Sequence, residues 1–111
     1  MYLVQLGSWR VGPAEQDPAM RDEVVFSMFY VYVLKSNVNG DLYVGSTQDL
    51  RERFRLHNNG KVKSTKVNKP WTLVYYEAYK SKEDATKREF ELKIHAAKNR
   101  LKEQIKNSFE I

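Results

Sequence analysis

Tyr32, Tyr43, Arg53, His57 and Glu89 are the residues whose types and spacing in this 111-residue chain can do chemistry. Phenol and imidazole groups move protons, a guanidinium fork fits phosphate, and an inward carboxylate demands a cation, whether arginine, lysine or a metal. The two tyrosines lie in the stretch YVYVLKSNVNGDLYVG, residues 30–45. A two-residue turn at Asn39-Gly40 pairs Val38 with Asp41 and Ser36 with Tyr43, which places Tyr32 and Tyr43 on one sheet face. In that register they stand four pairs apart, so a wider loop or a bulge is needed to bring their hydroxyls close. Gly45 closes the second strand and leaves room for a helix or a ligand backbone. In the following helix Leu50, Arg53, Phe54 and His57 fall at i, i+3, i+4 and i+7. Leu50 and Phe54 point at the sheet, Arg53 and His57 reach the edge of the core, and Arg51 and Arg55 point to water. Glu89 shares the inward face of a later helix with Ala85, Leu92 and Ala96. Each residue also has a structural reading: packing for the tyrosines, a buried ion pair for Arg53, a hydrogen-bonded core position for His57.

The elements that carry these groups follow from periodicity. Residues 29–35 alternate aromatic and β-branched side chains with both faces apolar, as in a central strand. DLYVG is the return strand. Thr47 or Asp49 caps a helix over residues 49–58, which NNGK ends. A basic loop, KVKSTKVNKP, leads to the strand WTLVYYEAY. Ser81 followed by Asp84 starts a helix running to about Ala96, and AKNRLKEQIKN forms a last amphipathic helix with Leu101 and Ile105 on one side. The order β-β-α-β-α-α predicts a small α/β domain with a mixed three-stranded sheet flanked by helices. Residues 1–27 hold two of the three prolines and no sustained period. They are expected to be a poorly ordered extension before a domain over residues 28–111, the rival being an added strand at 24–26.

Charge points to a polyanion. Residues 28–111 carry 17 Lys and Arg against 10 Asp and Glu, and residues 51–69 carry seven against one, Glu52. Arg51, Arg55, Lys61, Lys63, Lys66 and Lys69 are the candidate phosphate contacts, with a solvated lysine face as the plain alternative. The chain has no cysteine, which excludes disulfides, thiolate zinc sites and cysteine nucleophiles. No run approaches the roughly 18 apolar residues of a membrane span. The start, MYLVQLGSWRVG, lacks a basic leader, and a soluble cytoplasmic protein is expected.

YVY at 30–32, YVG at 43–45, Arg53 and His57 at eight and twelve residues beyond Gly45, and Glu89 within KREFELK together resemble the GIY-YIG nuclease superfamily. The resemblance covers Phe29 to about Asn107. It is greatest to the small single-domain proteins related to the N-terminal nuclease domain of the excision-repair endonuclease. Tyr30 and Gly45 belong to the paired signature. Two positions depart from the pattern: Tyr30-Val31-Tyr32 stands for Gly-Ile-Tyr, and Ser46 occupies a position where the repair nucleases carry lysine.

The resemblance implies a metal-dependent endonuclease hydrolysing phosphodiester bonds in duplex or branched DNA, in repair or recombination, with one Mg2+ or Mn2+ held by Glu89. A free phenol is ionised in about one molecule per thousand at neutral pH, so it needs a cation or a partner base. Arg53 and His57 are the local candidates. Tyr32 is assigned as base and Tyr43 as the group orienting water or phosphate, and the reverse assignment stays open. The alternative function is a nucleic-acid-binding module with little or no turnover.

Overall fold

A computed structural model of the chain describes Tyr2–Val4 and residues 27–110. The strands are β1 (Tyr2–Val4), β2 (Phe29–Ser36), β3 (Leu42–Thr47) and β4 (Trp71–Tyr79). The helices are α1 (Leu50–Asn58), α2 (Lys82–Leu92) and α3 (His95–Gln104), followed by a 3-10 turn at Lys106–Glu110. From Phe29 onward the order is β-β-α-β-α-α, as expected. The sheet runs β1-β4-β2-β3. All its pairings are antiparallel rather than mixed, because the α1 crossover carries the chain past β2. β3 and β4 point the same way, but β2 lies between them. The backbone of β1 adds a short fourth strand to the edge of β4. The strand considered at 24–26 lies outside the described residues.

The β2–β3 hairpin is wider than the Asn39-Gly40 step suggested. Ser36 pairs with Asp41 through a 2.8 Å backbone bond, Leu34 lies opposite Tyr43, and Tyr32 lies opposite Gly45. The loop therefore holds four residues, 37–40. Ser36 causes this: its buried hydroxyl accepts from the backbone N–H of Val38 at 3.1 Å and of Asn39 at 3.3 Å, and donates to the Asn68 carbonyl at 2.7 Å. Gly40 completes the turn at φ +77°, a conformation costly for other residues. The register moves by two residues from the expected one, so facing is preserved while Tyr43 becomes a diagonal neighbour of Tyr32.

The sheet separates two cores. One face packs Val31, Val33, Val44, Tyr75, Ala85, Leu92, Leu101 and Ile105 between the strands and α2 and α3. A bulge in β4 opposite Val33 and Leu34 turns both Val74 and Tyr75 to this side. The other face packs Tyr32, Leu34, Trp71 and Tyr76 with Leu50 and Phe54 of α1. Asp49 caps α1 by accepting from the Glu52 N–H at 3.1 Å. Ser81 occupies the N-cap of α2 by backbone conformation, but its hydroxyl donates to Glu83 at 2.8 Å instead of accepting from the helix. The helix expected to reach Ala96 ends at Leu92, where Lys93 N–H bonds back to Glu89 and Phe90 and extended Ile94 starts α3. The break lets Leu92, Leu101 and Ile105 all reach one core.

Candidate active site

β2 and α1 bring Tyr32 and His57 together inside the second core. The Tyr32 hydroxyl lies 2.7 Å from His57 Nε2, and His57 Nδ1 lies 2.7 Å from the Thr65 hydroxyl. Tyr32 is 1% exposed, and His57 and Thr65 are fully buried. Burial, reinforced by the nearby positive charge of Arg53, pushes the imidazole down to about 4. His57 is thus neutral at pH 7 and serves as a hydrogen-bond acceptor. Burial pushes the Tyr32 phenol up to about 12, although the nearby positive charge of Arg53 pulls the other way; Tyr43 and Glu89 add to the rise.

Gly45 is explained by the same tyrosine. A Cβ on Gly45 would stand 2.5 Å from the Tyr32 hydroxyl oxygen and 2.7 Å from its Cζ, well inside any allowed contact. The glycine thus makes room for the Tyr32 ring rather than for a ligand. Tyr43, half-buried, lies diagonally across the pair, its ring 6.3 Å from Tyr32 and 4.9 Å from His57 in an edge-on arrangement. Tyr30, on the same face, packs edge-on against Tyr76 at 5.9 Å.

Glu89 approaches from the other layer. Ser46 on β3 donates to its Oε1 at 2.6 Å, and Lys93 pairs with Oε2 at 2.9 Å, with Glu89 at 22% and Lys93 at 54% side-chain exposure. The carboxylate is at the rim, not deep in the core beside Ala85 and Leu92. Ser46, where lysine was the family expectation, holds this carboxylate. Among the described residues no three His, Asp or Glu side chains gather around one point. A lone carboxylate with a neighbouring hydroxyl offers hard oxygen donors, which suits a largely hydrated Mg2+ completed by substrate phosphate.

Lys61, Lys63, Lys66 and Lys69 are exposed on the loop after α1, as are Arg51 and Arg55 on the helix, while Arg53 is half-buried. Arg55 is engaged by Glu52 through bonds of 2.5 and 3.0 Å. The loop is fastened from inside. Val62 and Thr65 are buried, the Trp71 indole N–H donates to the Thr65 carbonyl at 2.9 Å, and the Asn58 side chain bridges the Trp71 backbone at 2.6 and 3.0 Å.

Sequence reasoning missed Thr65 and a buried charge on the opposite face. Glu77 of β4 is fully buried, accepts 2.9 and 3.0 Å bonds from Arg88 Nε, and accepts the hydroxyls of Tyr75 (2.7 Å) and Tyr79. Burial and the adjacent carboxylate push both phenols upward. No buried side-chain polar atom lacks a partner among the described residues, so this cluster is a satisfied ion pair that pins α2 to the sheet. Alternation along WTLVYYEAY gives Glu77 a facing but not a partner. The only available signal was a carboxylate in an otherwise apolar strand.

Paired tyrosines, an arginine, a histidine and a rim glutamate thus stand around an antiparallel sheet in a three-layer arrangement. The profile of the GIY-YIG catalytic domain matches residues 28–104, and the chain belongs to this nuclease family. It is 45% identical over 74 residues to a UPF0213 protein of Staphylococcus epidermidis, a match covering 66% of this chain and 89% of the relative. UPF0213 proteins of Staphylococcus saprophyticus and Staphylococcus aureus match at 40% identity with the same coverage. No solved structure matches the chain. No helix among the described residues is long and apolar enough to cross a membrane.

Proposed function

We propose that residues 28–111 form a divalent-metal-dependent endonuclease domain that hydrolyses phosphodiester bonds in DNA, acting in the cytoplasm in repair or recombination, with residues 1–27 as an extension. One observation carries the reading: Tyr32 of β2, opposite Gly45 of β3, is held by His57 of α1, and the next residue of β3, Ser46, holds Glu89 of α2, so groups from α1 and α2 converge around β3. Arg53 binds the scissile phosphate with its fork. Glu89, backed by Ser46, would hold one Mg2+ or Mn2+ in place of Lys93. That ion, when bound, stabilises charge developing on the phosphate and leaving oxygen.

The roles first assigned to the tyrosines are exchanged in this reading. Tyr32 is buried and committed to His57, so it has no open path to a water molecule. Tyr43 is the half-exposed phenol of the pair and is the one placed to take the proton of the attacking water. The lysines from Lys61 to Lys69 and Arg51 contact phosphates, giving binding with little dependence on base sequence.

The second reading, a binding module without turnover, draws on the fact that both oxygens of the lone carboxylate are already engaged by Ser46 and Lys93. The deciding assay incubates the protein with branched, nicked, single-stranded and duplex DNA, with Mg2+, Mn2+ or chelator. Ion-dependent cleavage that Glu89→Gln and Tyr43→Phe abolish supports the nuclease. A wild type that binds these substrates and cuts none of them establishes the binding module.

A further inference from the structure

We infer that Thr65, within the lysine loop, is a positioning residue that fixes the proton order of a hydrogen-bond chain ending at the Tyr32 phenol. The chain runs from the Val62 carbonyl through Thr65 and His57 to the Tyr32 hydroxyl. It rests on the proposed nuclease site, in which Tyr32 stands 6.3 Å from the ring of Tyr43, and adds the residue that sets which way the Tyr32 proton points.

The direction of each bond follows from proton counting. The Thr65 hydroxyl has one hydrogen, which it donates to the Val62 carbonyl at 3.3 Å. Toward His57 Nδ1 at 2.7 Å it therefore accepts, so Nδ1 carries the imidazole proton. Nε2 is then bare and accepts from the Tyr32 hydroxyl at 2.7 Å. Nε2 is the one hydrogen-bond partner of the Tyr32 hydroxyl among the described residues, so the phenol proton points at His57 and the oxygen lone pairs point away from it. The opposite tautomer leaves one proton unplaced: an Nε2–H would turn the Tyr32 proton away from His57, where no acceptor stands among the described residues, and Thr65 would give up its bond to Val62 to serve a bare Nδ1.

Packing does not require this arrangement, because valine fills the same space as threonine without its hydroxyl. Thr65 also stands between Lys63 and Lys66, both exposed, while its own side chain is fully buried. The loop thus presents charge outward and sets the tautomer inward. Anchoring by the Trp71 indole on the Thr65 carbonyl keeps the hydroxyl in place.

The test reads the imidazole directly. In a His95→Asn background one of the two histidines remains, and 15N-histidine NMR assigns its tautomer in the otherwise unchanged chain, in Thr65→Ser and in Thr65→Val, all without metal or DNA. The unchanged chain and Thr65→Ser are expected to give one Nδ1–H species. Thr65→Val is expected to lose that single species and to cut DNA with kcat lowered about 10- to 100-fold at unchanged KM, the size of a positioning defect. Thr65→Ser should restore kcat. Nε2–H in the unchanged chain overturns the inference even if Thr65→Val does not fold, and so does a Thr65→Val spectrum identical to wild type. A protein that cuts no substrate refutes the nuclease reading but leaves this spectroscopic outcome standing.

Discussion

Lowering the pH from 7 to 5 should destabilise the protein by about 2 kcal/mol through His57 alone. The imidazole is fully buried among Tyr32, Tyr43, Thr65 and Arg53, and its pKa is pushed down to about 4. The unfolded chain has the ordinary value of about 6.5 and takes up the proton first. Stability from this group is therefore full above pH 6.5 and is lost as the pH falls toward 4. At pH 5 the unfolded state is favoured by about 1.5 pH units of unshared protonation, or roughly 2 kcal/mol at 1.36 kcal/mol per unit. For a domain of this size that corresponds to a fall of roughly 10 °C in Tm. Thermal unfolding of wild type and His57→Gln at half-unit steps from pH 7 to 5 isolates the effect, since every other titrating group is common to both. A wild-type Tm that stays flat, or one that falls in parallel with the variant, would refute the burial and hydrogen bonding assigned to His57.

The two glutamates should separate by stability. Glu77→Gln leaves Arg88 against a buried neutral group and should cost about 3 to 5 kcal/mol in chemical denaturation, whereas Glu89→Gln breaks only a rim pair and should stay within about 1 kcal/mol of wild type. Gly45→Ala should cost about 1 to 3 kcal/mol, because the new methyl meets the Tyr32 ring on a buried strand; a neutral result would mean that Tyr32 lies elsewhere. Replacing Lys61, Lys63 and Lys66 together by alanine should flatten the salt dependence of DNA affinity by roughly 2 to 3 units, and an unchanged slope would move the binding face off this loop.

The sequence made the contents of the site readable because its residues repeat with the periods of their own elements. Tyr32 and Tyr43 alternate onto one face, and Arg53 and His57 sit on one helical stripe. What it hid depends on partners distant in the chain. Asn39-Gly40 looks like a complete turn, yet Ser36 captures two loop N–H groups and Asn68 captures Ser36, so the register slides by two. Gly45 offers space in the sequence, but only the folded hairpin shows that a tyrosine ring fills it. Thr65 lies among lysines and reads as part of a charge run until α1 places His57 above it. The end of α2 carries no glycine or proline at residues 92–95; the break comes from seating Leu92 and Leu101 in one core.

In the proposed site, the sheet keeps the two grips in separate compartments. Arg53 is carried by α1, whose His57 is held by Tyr32 and Thr65, while Glu89 is carried by α2, which Glu77 and Arg88 clamp to the reverse face. They meet only around β3, the terminal strand of the sheet. Substitutions that loosen or shift the α2–α3 layer would thus alter which ion is held and how firmly, without disturbing the phosphate grip. Substitutions in the α1 layer would retune the reach to the phosphate while leaving the ion site intact. A lineage could exchange one jaw at a time, and a protein that has lost its ion could go on binding nucleic acid with the other.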